Sequence, residues 1–468
     1  MKPRPPEKLD ILKIPGRTPL TYSEQELEAL KVTNLDFIVA NTPGFGGSAT
    51  FGRVRRILET PIDEATRDYR LQFFSELMDA PDFLRKVQGL ARAIPDSKIY
   101  SSRWRENGEV EKARALAAER LANFPLVLAE IENLDSRSSV AHDLKKYARQ
   151  VLFQSPDFLE ATRKVREEYP PRGVVELRAR DTGRPRRLFE IDEENLAAAA
   201  SLLEHFPEFA EYGRVLKEQL AGYLALAYIC EDGARPKFLD PEERRGRIGN
   251  AVHRAYEKCD YSRSRTARIR PVPNDAGWGP EKRTTMITGS NSMGKSVYLR
   301  TIGINILLPM NGFYALADEI EFSPVRRLWP CFDFGDSAGK GHLETGQAYV
   351  ARMNRDANLY DLLLIDEPSS GTEPEVERAL SEGLIKFAQA AGFNSFVVTH
   401  DVGLVREFQG TPCVAFRRVA DYDDPSNKYR ILEGISQGGY GMALARRLGT
   451  DPEGLMETLR QRQATGEL

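Results

Sequence analysis

Apolar residues recur at two different spacings along the chain, and the change between them divides it into two regions. Between 58 and about 235 the spacing is that of amphipathic helices, as in Leu71, Phe74, Leu77 and Met78. The tracts 110–134 and 196–230 continue this pattern. From about 270, short β-rich runs alternate with helical tracts, namely 284–288 with 296–308, 362–365 with 375–390, and 395–399 with 402–408. This alternation predicts βαβ units and a mostly parallel sheet covered by helices.

Two arginine-rich stretches interrupt these patterns. The first, 174–189, alternates partially on both sides of a turn at 181–183, which predicts a hairpin; it carries Arg178, Arg180, Arg184, Arg186 and Arg187. We favour a solvated hairpin tip over a phosphate-binding finger. The second, 244–270, interleaves arginines with Tyr256 and Tyr261. A nucleic-acid surface and a solvated linker are equally weighted interpretations of this stretch.

Composition narrows the class of protein. The 468 residues are 41% hydrophobic and 29% charged with a net charge of −3, which excludes a disordered chain and a strongly basic nucleic-acid binder. The four cysteines show no C-x-x-C spacing, so we expect neither a disulfide framework nor a structural zinc site. The start of the chain lacks the apolar stretch of a secretory signal, and we find no apolar run of membrane-spanning length. The prediction is a cytoplasmic protein without membrane contact.

The strongest chemical signal is a loop that fits G-x-x-x-x-G-K-[ST] between a predicted strand and a predicted helix. Its glycines allow the backbone to wrap phosphate, its lysine reaches the β- and γ-phosphates, and its serine hydroxyl is placed for Mg²⁺. The predicted nucleotide-binding residues are Gly289, Ser290, Asn291, Ser292, Met293, Gly294, Lys295 and Ser296.

Two further strands end in residues with catalytic chemistry. The aliphatic run 362–365 leads into Asp366, predicted to hold Mg²⁺, and Glu367, predicted to be the general base for the attacking water. The run 396–399 leads into His400, predicted to sense the γ-phosphate. Lys295, Glu367 and His400 are therefore the predicted catalytic residues, while Ser296 and Asp366 are the predicted metal ligands.

Together these motifs resemble the ABC-type ATPases and, more closely, the MutS family of DNA mismatch repair proteins. Asn291 matches the asparagine of the family's P-loop, and further elements resemble the family's P-N-D, G-x-F/Y-V-P-A, R-G-T and S-Y-G-x-x-V-A motifs. These elements are 273–275, 312–315, 370–372 and 439–445. The resemblance is strong over about 270–450 and looser over about 58–260.

The resemblance implies an α/β P-loop ATPase domain with a mostly parallel sheet, preceded by an all-α lever or core domain. We expect an N-terminal segment at 1–57, the helical core with the 174–189 hairpin at 58–265, and the ATPase domain at 266–468. The cofactors would be ATP and Mg²⁺, and the chain would form a homodimer or a MutS-like heterodimer through the ATPase domain. The signature that completes the partner's ATP site would lie near Glu344, Thr345 and Tyr349, and Ser370 and Thr372 would lie at the dimer interface.

The resemblance also bears on DNA reading. Phe74, Ser75 and Glu76 match the family's F-x-E motif, but Phe74 lies on the apolar face of a predicted helix and is predicted to be core. Only about 57 residues precede the helical core, which favours a reduced member without the mismatch-recognition domain.

Two functions remain open at this stage. The first is a MutS-like ATPase whose nucleotide state controls DNA binding in repair or recombination, with DNA contacting the arginine-rich stretches. The second is an ATP-driven remodeller of a protein client, such as a cobalamin-dependent aminomutase, without DNA.

Overall fold

The computed structural model describes most of the chain and divides it into two compact units. Unit 1 comprises Met1–Tyr22, Val32–Glu231 and Leu308–Tyr314, and unit 2 comprises Ser23–Lys31, Asp232–Leu307 and Ala315–Leu468. The predicted hairpin at 174–189 lies outside the described residues. Those residues are 9–10, 12, 21–40, 52–59, 61–94, 110–153, 156–168, 201–202, 204–256, 258–259, 268–269, 271–290, 293–332, 342–367, 373–420, 427, 429–436 and 445–465.

The helices of the described residues are numbered in chain order: α1 (Glu24–Ala29), α2 (Val32–Ala40), α3 (Arg53–Leu58), α4 (Glu64–Asp79), α5 (Pro81–Ala93), α6 (Val110–Glu132), α7 (Ser139–Phe153), α8 (Pro156–Glu168), α9 (Pro207–Ile229), α10 (Lys295–Met310), α11 (His342–Asp356), α12 (Pro374–Ala390), α13 (Val402–Glu407) and α14 (Pro452–Ala464). None of them is long and apolar enough to cross a membrane.

The strands of the described residues are numbered in the same way: β1 (Lys237–Phe238), β2 (Gly246–Ala251), β3 (Lys258–Cys259), β4 (Arg268–Ile269), β5 (Asn274–Trp278), β6 (Thr284–Thr288), β7 (Glu319–Phe322), β8 (Leu328–Cys331), β9 (Leu362–Asp366), β10 (Asn394–Val398), β11 (Val414–Val419) and β12 (Ile431–Glu433). The predicted strands and helices beyond 270 are confirmed to within two residues at each end.

The described part of unit 1 consists of helices packed around aromatic side chains. Helix α4 begins at an N-cap aspartate, Asp63, whose carboxylate accepts a hydrogen bond from the Thr66 amide at 2.9 Å. Phe74 of α4 is fully buried, and its ring centroid lies 5.0 Å from that of Phe313 and 5.4 Å from that of Tyr314. The structure therefore places the aromatic residue of the F-x-E match in the core, as predicted.

Unit 2 contains the sheet that carries the predicted motifs. Its six strands lie in the order β12-β11-β6-β10-β9-β8, and all neighbours are parallel except the edge pair β11 and β12. Residues Leu362 to Ile365 of β9 are all buried, as expected for a parallel strand covered on both faces. The α/β fold class is thus confirmed for this unit.

A second sheet, in the order β1-β7-β2-β5, has no counterpart among the predictions. Its strand β2 lies within 58–265, the range predicted for the helical domain. The buried positions of β2 are Gly246, Ile248, Gly249 and Ala251, so only one of them carries a large apolar side chain. The glycines are required by close packing, since a Cβ at Gly246 would lie 2.2 Å from the Trp278 ring. The predicted domain limits themselves stay a prediction.

Candidate functional site

The three predicted motifs begin where three neighbouring parallel strands end. Strand β10 lies between β6 and β9, and its last residue, Val398, pairs with Ile287 on one side and Asp366 on the other. The loop after β6, the acidic pair at the end of β9 and His400 after β10 therefore emerge at one edge of the sheet. Ligands of open α/β sheets bind at this carboxyl edge.

The P-loop has the backbone geometry that its glycines predict. Gly289 has φ +143° and Gly294 has φ +92°, conformations that side-chain-bearing residues rarely adopt. Met293 is 3% exposed, and α10 begins at Lys295. Amides at the start of a helix point outward as hydrogen-bond donors, so the loop forms an anion-binding turn. Asn291 and Ser292 lie outside the described residues.

The Lys295 ammonium is turned back onto its own loop. Its Nζ donates to the Gly289 carbonyl at 2.7 Å and to the Ser290 carbonyl at 3.2 Å. Burial lowers the pKa of Lys295, while the charges of Glu367 and Asp366 act in the opposite direction. The lysine is therefore a buried cation that donates to two carbonyls of its own loop, which a phosphate group could replace.

Asp366 and Ser296 meet at the same edge. Burial raises the pKa of Asp366, whereas a hydrogen bond from Ser296 and the charges of Arg300 and Lys295 lower it. Arg300 is a residue that the sequence analysis missed. It lies on α10 just beyond the P-loop, and a basic residue within such an apolar helix is the signal that could have identified it.

Glu367 and His400 form a pair next to Asp366. The His400 Nδ1 lies 3.3 Å from Glu367 Oε1, and the two side chains are 54% and 22% exposed. Glu367 has φ +46°, although it is not glycine. Such a conformation costs about 1–3 kcal/mol and persists where surrounding structure imposes it, most often at functional sites. A solvent-accessible carboxylate held beside an imidazole is suited to orienting and deprotonating water.

Comparison with protein families identifies this unit. The family profile described as MutS domain V matches residues 285–465, which include the whole P-loop, Asp366, Glu367 and His400. Residues 285–465 therefore belong to the MutS domain V family.

Curated relatives agree with this assignment over part of their length. An endonuclease MutS2 of Thermomicrobium roseum is 28% identical over 76% of this chain and 45% of its own length. Endonucleases MutS2 of Thermus thermophilus and Thermotoga neapolitana are 28% and 29% identical over 39% and 42% of this chain. These two matches cover 25% and 27% of the relatives. The chain thus spans less than half the length of these relatives.

Asn274 of the MutS-like P-N-D element (273–275) forms hydrogen bonds to residues 429–431, which lie near the P-loop. Asn274 Nδ2 donates to the Tyr429 carbonyl at 3.1 Å, and its Oδ1 accepts from the Ile431 amide at 2.7 Å. Tyr429 in turn lies against the P-loop, because a Cβ at Gly294 would be 3.6 Å from its ring. The motifs at 370–372 and 439–444 lie outside the described residues.

The second arginine-rich stretch is built into unit 2 where it is described. Arg245 pairs with Glu243 at 2.6 Å, Arg247 pairs with Glu319 at 2.8 Å, and Arg254 is buried. Residues 246–251 form β2, so this part of the stretch is not a linker. Because acidic side chains neutralise two of these arginines, residues 244–254 favour neither of the two interpretations offered by the sequence.

Proposed function

We propose that the chain is a MutS-type ATPase that binds ATP with Mg²⁺ and hydrolyses it. The observation that carries the proposal is the convergence of the P-loop, Asp366, Glu367 and His400 at the ends of three adjacent strands. The matched domain, MutS domain V, supports the same activity.

Binding would begin at the P-loop. The amides at the start of α10 donate to phosphate oxygens, and the glycine backbone allows their close approach. Lys295 then exchanges the carbonyls of Gly289 and Ser290 for the β- and γ-phosphates, which compensate its buried charge better than neutral carbonyls do.

Ser296 and Asp366 are suited to hold Mg²⁺. A hydroxyl and a carboxylate are oxygen donors of the kind Mg²⁺ prefers, and here they are already hydrogen-bonded to each other. Among the described residues, no cluster of three or more His, Cys, Asp or Glu side chains is placed to bind a metal, so nucleotide oxygens would complete the shell. When bound, the ion would polarise the phosphate and neutralise developing negative charge.

Glu367 and His400 would act on the attacking water. The Glu367 carboxylate would accept the water proton as general base, and His400, which lies beside this carboxylate, would contact the γ-phosphate. The left-handed backbone of Glu367, which side-chain-bearing residues rarely adopt, fits a base held in a fixed position at the end of β9.

The test is ATP turnover by the full chain with and without Mg²⁺, together with a fluorescent ATP analogue to measure affinity. We expect magnesium-dependent hydrolysis, with binding lost in Lys295→Ala and retained in Glu367→Gln. Equal hydrolysis by the wild type and Lys295→Ala would refute the proposed activity.

We further propose that the ATPase works as a dimer and that its nucleotide state controls DNA binding through the helical unit. The relatives are named MutS2, which favours the DNA hypothesis over remodelling of an aminomutase. Their endonuclease activity is not extended to this chain, because the matches cover less than half of their length. The predicted DNA contacts are the arginines of 174–189.

DNA binding is tested by titrating labelled duplex, branched and single-stranded DNA at several salt concentrations, with and without ATP. We expect affinity that falls steeply with salt, because arginine–phosphate contacts release counterions. The triple variant Arg184→Ala, Arg186→Ala, Arg187→Ala should weaken binding and reduce the salt slope by about 2–3. Absence of binding to every DNA at low salt would refute this part of the proposal.

A further inference from the structure

The short segment Ser23–Lys31 belongs to unit 2, although the residues on either side of it belong to unit 1. It contains α1, and Leu27 and Leu30 are almost completely buried. The chain therefore contributes one N-terminal helix to the nucleotide-binding unit from more than 200 residues upstream of its other parts.

One end of this segment is fixed by a buried carboxylate. Glu26 is 0% exposed, and its Oε1 accepts from Arg352 Nη2 at 2.6 Å, Arg327 Nη2 at 2.7 Å and the Tyr349 hydroxyl at 3.1 Å. Its Oε2 accepts from the Ser23 amide at 2.6 Å, which completes the N-terminal cap of α1. Tyr349 and Arg352 both lie on α11, so this end of the segment is bound to that helix.

The other end of the segment is fixed to the P-loop helix. The Ala29 carbonyl accepts from Arg300 Nε at 2.8 Å. The Leu30 side chain packs against Gly303 so closely that a Cβ there would lie 2.5 Å from Leu30 Cδ2. Arg300 and Gly303 both belong to α10, and Arg300 is also one of the charges that lower the pKa of Asp366.

These contacts connect α10 and α11, the two helices of unit 2 that carry residues predicted to respond to the nucleotide. Helix α10 begins at Lys295, and α11 carries Tyr349, near which the cross-subunit signature is predicted. Apolar packing alone could hold α1 in place. The position of α1 relative to α11 is instead fixed by hydrogen bonds. Three donors converge on one buried Glu26 oxygen, and each of these bonds is directional and costly to leave unmade.

We propose that Ser23–Lys31 is a positioning strut that transmits the nucleotide state of α10 to α11. The strut is attached to α11 through Glu26 and to α10 through the hydrogen bond between Ala29 and Arg300. The proposal rests on the ATPase function proposed above. When the P-loop closes on phosphate, displacement of α10 would move the strut through Ala29 and Leu30, and the Glu26 cluster would carry that displacement to α11.

The first test compares steady-state ATPase kinetics of the full chain in Glu26→Gln and Arg352→Gln. Arg352 is partly exposed, so its variant breaks the strut from the α11 side without emptying a core position. We expect kcat to fall on the order of tenfold with nucleotide affinity within about twofold of the wild type. The matched controls are Glu28→Gln on α1 and Arg355→Gln on α11, whose ion pairs with Lys31 and Asp356 lie at the surface and whose loss should leave kcat unchanged.

The second test does not require hydrolysis. Hydrogen–deuterium exchange of the nucleotide-free chain should show that Arg352→Gln speeds amide exchange in α11 and also in the 295–307 part of α10, whereas Arg355→Gln does neither. With a non-hydrolysable ATP analogue and Mg²⁺, the wild type should change protection in α10, α1 and α11, and Arg352→Gln should lose only the α11 change.

The outcomes separate the strut from the activity. A wild type without ATPase activity refutes the proposed function, while exchange effects that stay confined to α11 in the nucleotide-free Arg352→Gln chain refute the strut. If Glu26→Gln does not fold, Arg352→Gln decides alone, and an Arg352→Gln protein with wild-type kcat and a wild-type α11 response overturns the inference. Arg352→Lys, which keeps the charge, should restore part of the kcat.

Discussion

Replacing Phe74 by alanine separates a structural from a DNA-reading role for the F-x-E match. The side chain is fully buried in unit 1, and its ring contacts those of Phe313 and Tyr314 edge-on. Phe→Ala at such a site removes the transfer free energy of the ring and leaves a cavity, together about 3–5 kcal/mol. Loss of two aromatic pairs favours the upper part of this range, so we expect the free energy of unfolding to fall by about 4 kcal/mol.

The assay is the urea dependence of amide exchange in α4, which reports on unit 1 separately from unit 2. With an m-value of about 2–3 kcal/mol per M, a loss of about 4 kcal/mol should lower the midpoint by about 1.3–2 M urea. The matched control is Phe153→Ala on α7, since Phe153 is 80% exposed. Its effect should stay within about 0.5 kcal/mol.

DNA binding by the same two variants completes the experiment. If Phe74 is core, affinities for matched and mismatched duplex should change together, because any loss follows from destabilisation of unit 1. The reasoning is wrong if Phe74→Ala keeps the stability of the wild type and selectively loses discrimination between matched and mismatched DNA.

Three further predictions concern unit 2. Glu367→Gln should retain ATP binding and lower kcat by about 10²–10⁴-fold, because the amide cannot accept the water proton; single-turnover hydrolysis within about threefold of the wild type would contradict this. Asp366→Asn should raise the thermal midpoint of the nucleotide-free chain at pH 7–8. Burial raises the folded pKa of Asp366, so the stability that the neutral carboxyl contributes is lost as pH rises through that pKa. The increase in thermal midpoint of Asp366→Asn over the wild type should therefore vanish below about pH 4 in calorimetry. His253 is buried, and burial lowers its pKa to about 4. The stability that the neutral imidazole contributes to the fold is therefore present above about pH 6.5 and is lost as pH falls towards 4. Urea titration should show that the free energy of unfolding of unit 2 falls by about 3 kcal/mol over this pH range. In His253→Gln, this free energy should depend less on pH.

The meeting of the proposed site residues at one sheet edge was largely predictable because their signals are local. The P-loop, Asp366, Glu367 and His400 each follow a short apolar run, and parallel strands bring their carboxyl ends to one edge. Strand β2 was not predictable from its pattern, because glycine and alanine occupy most of its buried positions and leave no apolar alternation.

The strut was missed for a different reason. Ser23 and Glu26 form a capping box whose spacing is visible in the sequence, but that motif explains only one of the two carboxylate oxygens. The partners of the other oxygen are Arg327, Tyr349 and Arg352, which lie 301, 323 and 326 residues away. No local pattern joins residues at such separations, so the second role of Glu26 emerges only from the fold.

Two kinds of buried charge distinguish structural from functional groups in this protein. In unit 1, the guanidinium of Arg70 donates to the Leu12 carbonyl at 2.6 Å and the Asn311 carbonyl at 3.2 Å, contacts that join distant parts of the unit. Lys295 instead donates to carbonyls five and six residues away in its own loop. These two local contacts can be exchanged without separating remote elements, so Lys295 is suited to recruit a phosphate. Nucleotide binding should therefore change the partners of Lys295 and leave those of Arg70 in place.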